Sequence, residues 1–108
     1  LSSIAALADI VQAVRAENSN IEIWLDSGIR SGQDVLKALA VGANGTMIGR
    51  AFLYGLGAYG EDGVRRALEL IYNECDISMA FCGHTDINQV TDDILVKGTY
   101  ENLKTHAY

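Results

Sequence analysis

The sequence predicts an α/β fold in which two parallel strands alternate with helices. Two short apolar runs, residues 21–25 and 46–48, each follow a segment with the periodicity of an amphipathic helix. The runs begin about two dozen residues apart, which is the spacing of a strand-helix-strand crossover. Such a crossover is right-handed and makes the two strands parallel. With 49% hydrophobic residues among 108, the chain can also bury a sizeable core.

The first helix is predicted over residues 1–20, followed by the first strand over residues 21–25. Ser2 or Ser3 can cap the helix, and its apolar residues recur at the spacing of a one-sided helix. The strand segment is rich in β-branched and aromatic side chains. Because unpaired carboxylates are rarely buried, we expect Glu22 to lie at the exposed start of this strand.

The second helix begins at Ser31, where Ser31-Gly-Gln-Asp34 has the pattern of a capping box. Gly42 lies where a glycine commonly ends a helix, and residues 46–48 then form the second, buried strand. The side chains predicted to face inward from this helix are Val35, Leu36, Leu39 and Ala40.

The last part of the chain is predicted to be helical. Residues 51–60 are apolar and spaced by glycines, which indicates a short buried helix or a packed loop. A long helix runs from Glu61 to Gly83, and Thr85 can cap a last turn or two. Beyond Gly98 the tail is polar, and we expect it to be loose. The apolar stripe of the long helix consists of Val64, Leu68, Ile71, Cys75, Met79 and Cys82.

Composition excludes several classes of function. The net charge of −6 and the absence of a basic run argue against binding to nucleic acid or to an anionic membrane surface.

Cys75 and Cys82, seven positions apart on one predicted helix, would lie about 10 Å apart, too far for a disulfide. Free thiols are typical of a reducing compartment, so we expect a cytoplasmic protein. Any contact with the inner membrane would come from segments outside this sequence, which does not open with Met.

Two parallel strands cannot close a sheet, and a closed barrel needs about 250 residues. The sequence therefore predicts the C-terminal two β/α units of a (β/α)8 TIM barrel. In this division, residues 1–20 are a helix, residues 21–50 a phosphate-binding strand-helix-strand unit, residues 51–90 the closing helices and residues 91–108 a tail.

Each predicted strand ends in a loop with a glycine and an arginine, at Asp26 to Arg30 and at Gly49-Arg50. Taken singly, a glycine here is commonly a turn residue, an arginine a solvated cation, and Asp26 the cap of a turn. Parallel strands, however, direct both loops to one edge of the sheet, where backbone N–H groups and two cations suit a phosphate.

Residues 26–43, DSGIRSGQDVLKALAVGA, and residues 47–54, MIGRAFLY, closely resemble the FMN-dependent 2-hydroxy-acid oxidase and dehydrogenase family. The resemblance covers nearly the whole chain and weakens after Val90. Two positions differ from the commonest family pattern, Ser27 for Gly and Ala51 for Pro, and both variants resemble bacterial lactate and mandelate dehydrogenases. The residues that the resemblance implies for binding the ribityl phosphate of FMN are Asp26, Ser27, Gly28, Ile29, Arg30, Gly49 and Arg50.

The resemblance also implies oxidation of a 2-hydroxy acid, such as L-lactate, to the 2-oxo acid. In the family, the catalytic base and the arginine that binds the substrate carboxylate belong to an H-G-G-R segment upstream of the stretch where this chain begins. We therefore expect no catalytic residue and no metal ligand within these residues, and no activity from this chain alone. His84 and His106 are predicted to be surface residues. The expected partners are a small 2-hydroxy acid, the remainder of the barrel and further copies of the protein in a homo-oligomer.

Two alternatives stay open at this point. One is another phosphate-binding barrel, similar to the inosine-monophosphate dehydrogenases, in which the phosphate belongs to a substrate nucleotide. The other is a non-catalytic part-barrel that associates with itself through the apolar faces of its sheet, built from Ile23, Leu25, Met47 and Ile48.

Overall fold

The computed structural model describes residues 2–97, which contain three α-helices, two short strands and two 3-10 turns. The expected loose tail and His106 lie outside the described residues. The elements in chain order are α1 (Ser3–Ala16), β1 (Trp24–Leu25), α2 (Gly32–Val41), β2 (Gly45–Thr46) and α3 (Arg50–Phe81), followed by 3-10 turns at Ile87–Gln89 and Asp92–Ile94.

The two strands are parallel, which confirms the predicted crossover, and Trp24 pairs with Gly45. Both are shorter than the predicted runs, and β2 lies at 45–46 and not at 46–48. The pairing of β1 begins only at Trp24, because the backbone N–H of the preceding residue, Ile23, donates to the side-chain oxygen of Asn44 at 2.9 Å and not to a strand carbonyl. The Arg15 guanidinium donates to the same oxygen at 3.3 Å, which ties the end of α1 to this edge of the sheet.

Helix α2 lies between two clusters of buried side chains. One cluster joins α2 to α1 and the strands, and the other joins α2 to α3. Leu36 and Ala40 are buried as predicted, whereas Val35 and Leu39 are only partly buried. Ala38, which was not predicted to face inward, is completely buried because α2 is covered on two sides. The first cluster is Leu7, Ile23, Leu25, Ile29, Ala38 and Ala43, and the second is Leu36, Ala40, Cys75, Met79 and Val90.

The predicted caps of α2 are confirmed. The Ser31 hydroxyl accepts the backbone N–H of Asp34 at 3.2 Å, and the Asp34 carboxylate accepts the backbone N–H of Arg30 at 3.0 Å. Gly42 ends the helix with a φ of +123°, in the left-handed region that favours glycine. The predicted cap of α1 is different, since Ser2 occupies the N-cap position but its side chain makes no capping hydrogen bond.

Helix α3 consists of two helical segments, because the backbone at Tyr59 and Gly60 is not helical. Residues 51–58 are therefore a helix and not a packed loop, but the expectation that this segment is buried is wrong. Leu68 and Cys82 are also exposed, contrary to the predicted stripe, because within residues 2–97 no element covers that side of α3. The large apolar side chains exposed on α3 are Leu53, Tyr54, Leu56, Tyr59, Leu68, Leu70, Tyr72, Ile77 and Phe81.

The residues after α3 differ from the prediction in two details. Asp86, and not Thr85, caps the first 3-10 turn, because its carboxylate accepts the backbone N–H of Asn88 at 2.9 Å. His84 is half-buried and not a surface residue, and its Nε2 lies 3.8 Å from a carboxylate oxygen of Asp93. Both cysteines are free thiols, as expected from their separation. Within residues 2–97, no helix is long and apolar enough to cross a membrane.

Candidate functional site

Two loops leave the sheet at the same edge, the carboxyl end of its strands. Loop A (residues 26–30) follows β1, and loop B (residues 47–50) follows β2. The backbone N–H of Met47 donates to the carbonyl of Leu25 at 2.9 Å, so the two loops begin side by side. The structure thus brings the two predicted Gly-Arg segments to one edge.

Loop A begins with two successive residues in the left-handed region, Ser27 and Gly28, each with a φ of +84°. A carboxylate oxygen of Asp26 accepts the N–H of Ser27 at 2.8 Å. The carbonyl of Ser27 accepts the hydroxyl of Ser3, from the first turn of α1, at 2.9 Å. Within residues 2–97, the N–H groups of Gly28 and Ile29 have no hydrogen-bond partner, so they are available to a ligand.

The end of loop A is anchored on both sides. The Ile29 side chain is only 6% exposed and belongs to the cluster between α1, the strands and α2. The following N–H, that of Arg30, is bound by Asp34. Ile29 therefore fixes the loop through its buried side chain, whereas the side chain of Arg30 stays exposed.

Loop B leads directly into α3, with Gly49 at the N-cap position. The N–H of Leu53 is the first that bonds back to the Gly49 carbonyl, at 3.2 Å. The N–H groups of residues 50–52 precede this bond and have no partner among the described residues, as is usual in the first turn of a helix. No atom lies within 4 Å of the position that a Cβ on Gly49 would take, so the approach to this helix start is open.

The arginines of the two loops differ from the other arginines of the described chain. Arg65 and Arg66 pair with glutamates of α3 at 3.1 and 3.5 Å, and Arg15 donates to two backbone carbonyls. Within residues 2–97, the guanidinium groups of Arg30 and Arg50 make neither an ion pair nor a hydrogen bond. Two exposed cations without partners therefore lie in the same two loops as the free N–H groups.

These groups together suit an anion with several acceptor oxygens. The free N–H groups of residues 50–52 lie at the positive end of the α3 helix dipole, and a guanidinium group can bind two phosphate oxygens at once. The arrangement fits the phosphate of a cofactor such as FMN, because both arginines and the free N–H groups of Gly28, Ile29 and residues 50–52 lie in or next to the two loops at the carboxyl end of the strands. No group of three or more His, Cys, Asp and Glu side chains that could hold a metal ion occurs in the described part of the chain.

Two residues that shape loop A were not predicted as part of the site. Asp34 carried a sequence signal, since its capping pattern places its carboxylate near the residues before α2. Ser3 carried no such signal beyond the general preference of serine for helix starts, because its partner is 24 residues away.

Comparison with known proteins gives matches over most of the chain. The family described as FMN-dependent dehydrogenase matches residues 1–97. An L-lactate dehydrogenase of Pectobacterium atrosepticum is 46% identical over 103 residues, which are 95% of this chain and 26% of that protein. A peroxisomal (S)-2-hydroxyacid oxidase of Arabidopsis thaliana, GLO3, is 44% identical over 90 residues, which are 83% of this chain and 24% of that protein. The chain thus spans about a quarter of the length of these relatives.

Solved structures also match over most of the chain. A flavocytochrome b2 mutant is similar with a TM-score of 0.85 and 37% identity, over 93% of this chain and 26% of that one. An (S)-mandelate dehydrogenase mutant is similar with a TM-score of 0.74 and 40% identity, over 84% of this chain and 24% of that one.

Proposed function

The chain belongs to the family of FMN-dependent dehydrogenases, and from this premise we propose that loops A and B bind the phosphate of FMN in an enzyme that oxidises a 2-hydroxy acid. The observation that carries the proposal is that free backbone N–H groups and arginines without partners lie together in two loops at one sheet edge. The matched relatives support the class of reaction, since their names are L-lactate dehydrogenase and (S)-2-hydroxyacid oxidase.

Each predicted residue has a distinct role in this proposal. Gly28 and Ile29 supply backbone N–H groups from loop A, and Gly49 leaves the start of α3 open to the phosphate. Arg30 and Arg50 supply planar, fork-shaped donors that match phosphate oxygens. Ser27 forms the turn of loop A. One carboxylate oxygen of Asp26 accepts the Ser27 N–H, and the other oxygen can accept a ribityl hydroxyl.

We further propose that the 108 residues are the last two β/α units of a (β/α)8 barrel. The radius of gyration, 15.1 Å, exceeds the roughly 13 Å of a compact domain of this length. Trp24 and Met47 are exposed beside the strands, and the outer side of α3 is apolar. Neighbouring barrel strands and helices, or further copies of the protein, would cover these surfaces.

The chain's own residues hold and orient the cofactor in this proposal. Bound FMN would accept a hydride equivalent from the α-carbon of the substrate. The oxidation also needs a base near that carbon and a cation for the substrate carboxylate. His84 does not suit the role of base, because its Nε2 lies 3.8 Å from a carboxylate oxygen of Asp93 and, within residues 2–97, it makes no hydrogen bond or ion pair to either loop. We propose that other parts of the barrel supply both groups.

The first experiment tests the cofactor. FMN should bind with quenching of its fluorescence, and the purified protein should be yellow if the flavin is retained. Inosine monophosphate is the competing ligand, since the alternative barrel binds the phosphate of a substrate nucleotide. Displacement of FMN by inosine monophosphate at equal concentration would favour that alternative and overturn the proposal.

The second experiment tests whether the catalytic groups lie outside these 108 residues. The chain of 108 residues with excess FMN should leave the flavin oxidised when lactate, glycolate or mandelate is added without oxygen. Addition of the remaining barrel, covalently or as a second chain, should cause bleaching of the flavin absorbance by one of these acids. Bleaching by the chain alone would place the base within it. Failure of the reassembled protein with every 2-hydroxy acid would contradict the proposed reaction.

A further inference from the structure

We propose that Ser3 is a positioning residue that holds loop A in its phosphate-binding conformation, an inference that rests on the proposed function. The observation is the hydrogen bond from the Ser3 hydroxyl to the carbonyl of Ser27, at 2.9 Å and across 24 residues of sequence. This bond joins the first turn of α1 to the turn of loop A. Ser3 is not part of the family motif in loop A.

The bond matters because Ser27 has an unfavourable backbone. A non-glycine residue with a φ of +84° persists only when its surroundings hold it there. Both polar backbone groups of Ser27 are held by side chains, its N–H by Asp26 at 2.8 Å and its carbonyl by Ser3. One of these partners is local, and the other comes from a separate helix.

The same bond determines where the next N–H points. In a planar trans peptide the carbonyl of one residue and the N–H of the next point in opposite directions. Since the Ser27 carbonyl points towards Ser3, the N–H of Gly28 points away from α1. Within residues 2–97 this N–H has no partner, so the Ser3 bond turns a free donor outward for the phosphate.

Ser2 provides a matched control. It is the adjacent serine, it is exposed, and its side chain makes no capping hydrogen bond. A Ser3→Ala change should keep the fold, because alanine is a better helix former than serine and Ser3 begins the first turn of α1. Ser3→Thr keeps the hydroxyl and is the conservative variant.

The experiment compares FMN with riboflavin, which lacks the phosphate, by fluorescence titration of the flavin-free full-length protein. Ser3→Ala should weaken FMN binding about two- to tenfold, the size expected for loss of one neutral hydrogen bond. Riboflavin binding should stay unchanged. Ser3→Thr should restore FMN affinity, and Ser2→Ala should leave both affinities at the wild-type value.

Three results would overturn the inference. Unchanged FMN affinity in Ser3→Ala would show that the bond does not position loop A. Equal losses for FMN and riboflavin would show a general structural role, with no direction towards the phosphate. A wild-type protein that binds FMN no better than riboflavin, with Arg50→Ala also without effect, would overturn the proposed function itself and this inference with it.

Discussion

The backbone of Gly32, in the first turn of α2, lies directly against the backbone of Cys75 in α3. A Cβ on Gly32 would be 2.1 Å from the Cys75 nitrogen and 2.3 Å from the Ile71 carbonyl oxygen. Both distances are far below van der Waals contact, so only glycine allows the two helices to approach this closely. Since Gly32 follows loop A by two residues, this contact also fixes where the chain that leaves loop A lies against α3.

Gly32→Ala should therefore destabilise the protein by about 1–3 kcal/mol, the usual cost of overpacking. The better helix propensity of alanine offsets only part of this loss. Gln33→Ala, at the exposed neighbouring position, is the control and should leave stability nearly unchanged. Urea unfolding midpoints measure both effects, and equal midpoints for Gly32→Ala and the wild type would contradict the close contact.

Gly63 and Gly57 should respond in opposite ways to the same change. A Cβ on Gly63 would lie 1.8 Å from the carbonyl oxygen of Gly55, where the two segments of α3 meet. Gly63→Ala should destabilise by about 1–3 kcal/mol. No atom lies within 4 Å of a Cβ on Gly57, so Gly57→Ala should stabilise by about 0.5–1 kcal/mol through helix propensity.

Thermal unfolding of the two variants measures this difference. A lower midpoint for Gly57→Ala than for Gly63→Ala would mean that the two segments of α3 do not pack at Gly55.

Ser27→Gly should stabilise loop A, because Ser27 has a positive φ that glycine adopts without strain. The backbone strain that is relieved, about 1–2 kcal/mol, exceeds the entropic cost of ordering a glycine, about 0.5–1 kcal/mol. Ser78→Gly, in the helical backbone of α3, is the control and should destabilise by about 0.5 kcal/mol. A loss of stability in Ser27→Gly, measured by urea unfolding, would contradict the left-handed backbone.

Arg50→Ala should weaken FMN binding by about 1.5–3 kcal/mol, the range for a hydrogen bond to a charged group. This corresponds to a dissociation constant raised roughly 10- to 150-fold. Arg65→Ala removes another exposed arginine, which pairs with Glu61, and it should leave the affinity unchanged. Flavin fluorescence titration measures both variants. Wild-type affinity in Arg50→Ala would remove this arginine from the site.

Stability should depend on Cys75 at high pH. Burial raises the pKa of the Cys75 thiol above its ordinary value of 9.0, and the Asp76 carboxylate raises it further. The folded state therefore resists ionisation of the thiol. Its stability is unaffected by this group below about pH 9 and falls as the pH rises from the unfolded towards the folded pKa.

Urea unfolding from about pH 7 to about pH 10 tests this dependence. Cys75→Ala removes the titrating group, so its stability should fall less steeply with pH above 9 than that of the wild type. Cys82→Ala is the control, since Cys82 is exposed, and its slope should equal that of the wild type. Equal slopes in all three proteins would mean that the Cys75 pKa is not raised.

Local patterns in the sequence predicted much of the fold and of the candidate site. The capping box from Ser31 to Asp34, the glycine after α2 and the break near Gly60 were all visible, because each depends on residues within one or two helical turns. The crossover placed both Gly-Arg loops at one sheet edge, since the handedness and direction of such a connection follow general rules.

The sequence by itself therefore determined the α/β order, the parallel pair of strands, the caps of α2 and the residues of the two loops. Only the tertiary structure decided which faces are covered and which distant groups meet. The exposed outer side of α3, the burial of Ala38 and the bond between Ser3 and Ser27 depend on how separate elements pack. Periodicity reports which side of a helix is apolar, but it carries no information about what lies against that side or about a hydrogen bond formed across 24 residues.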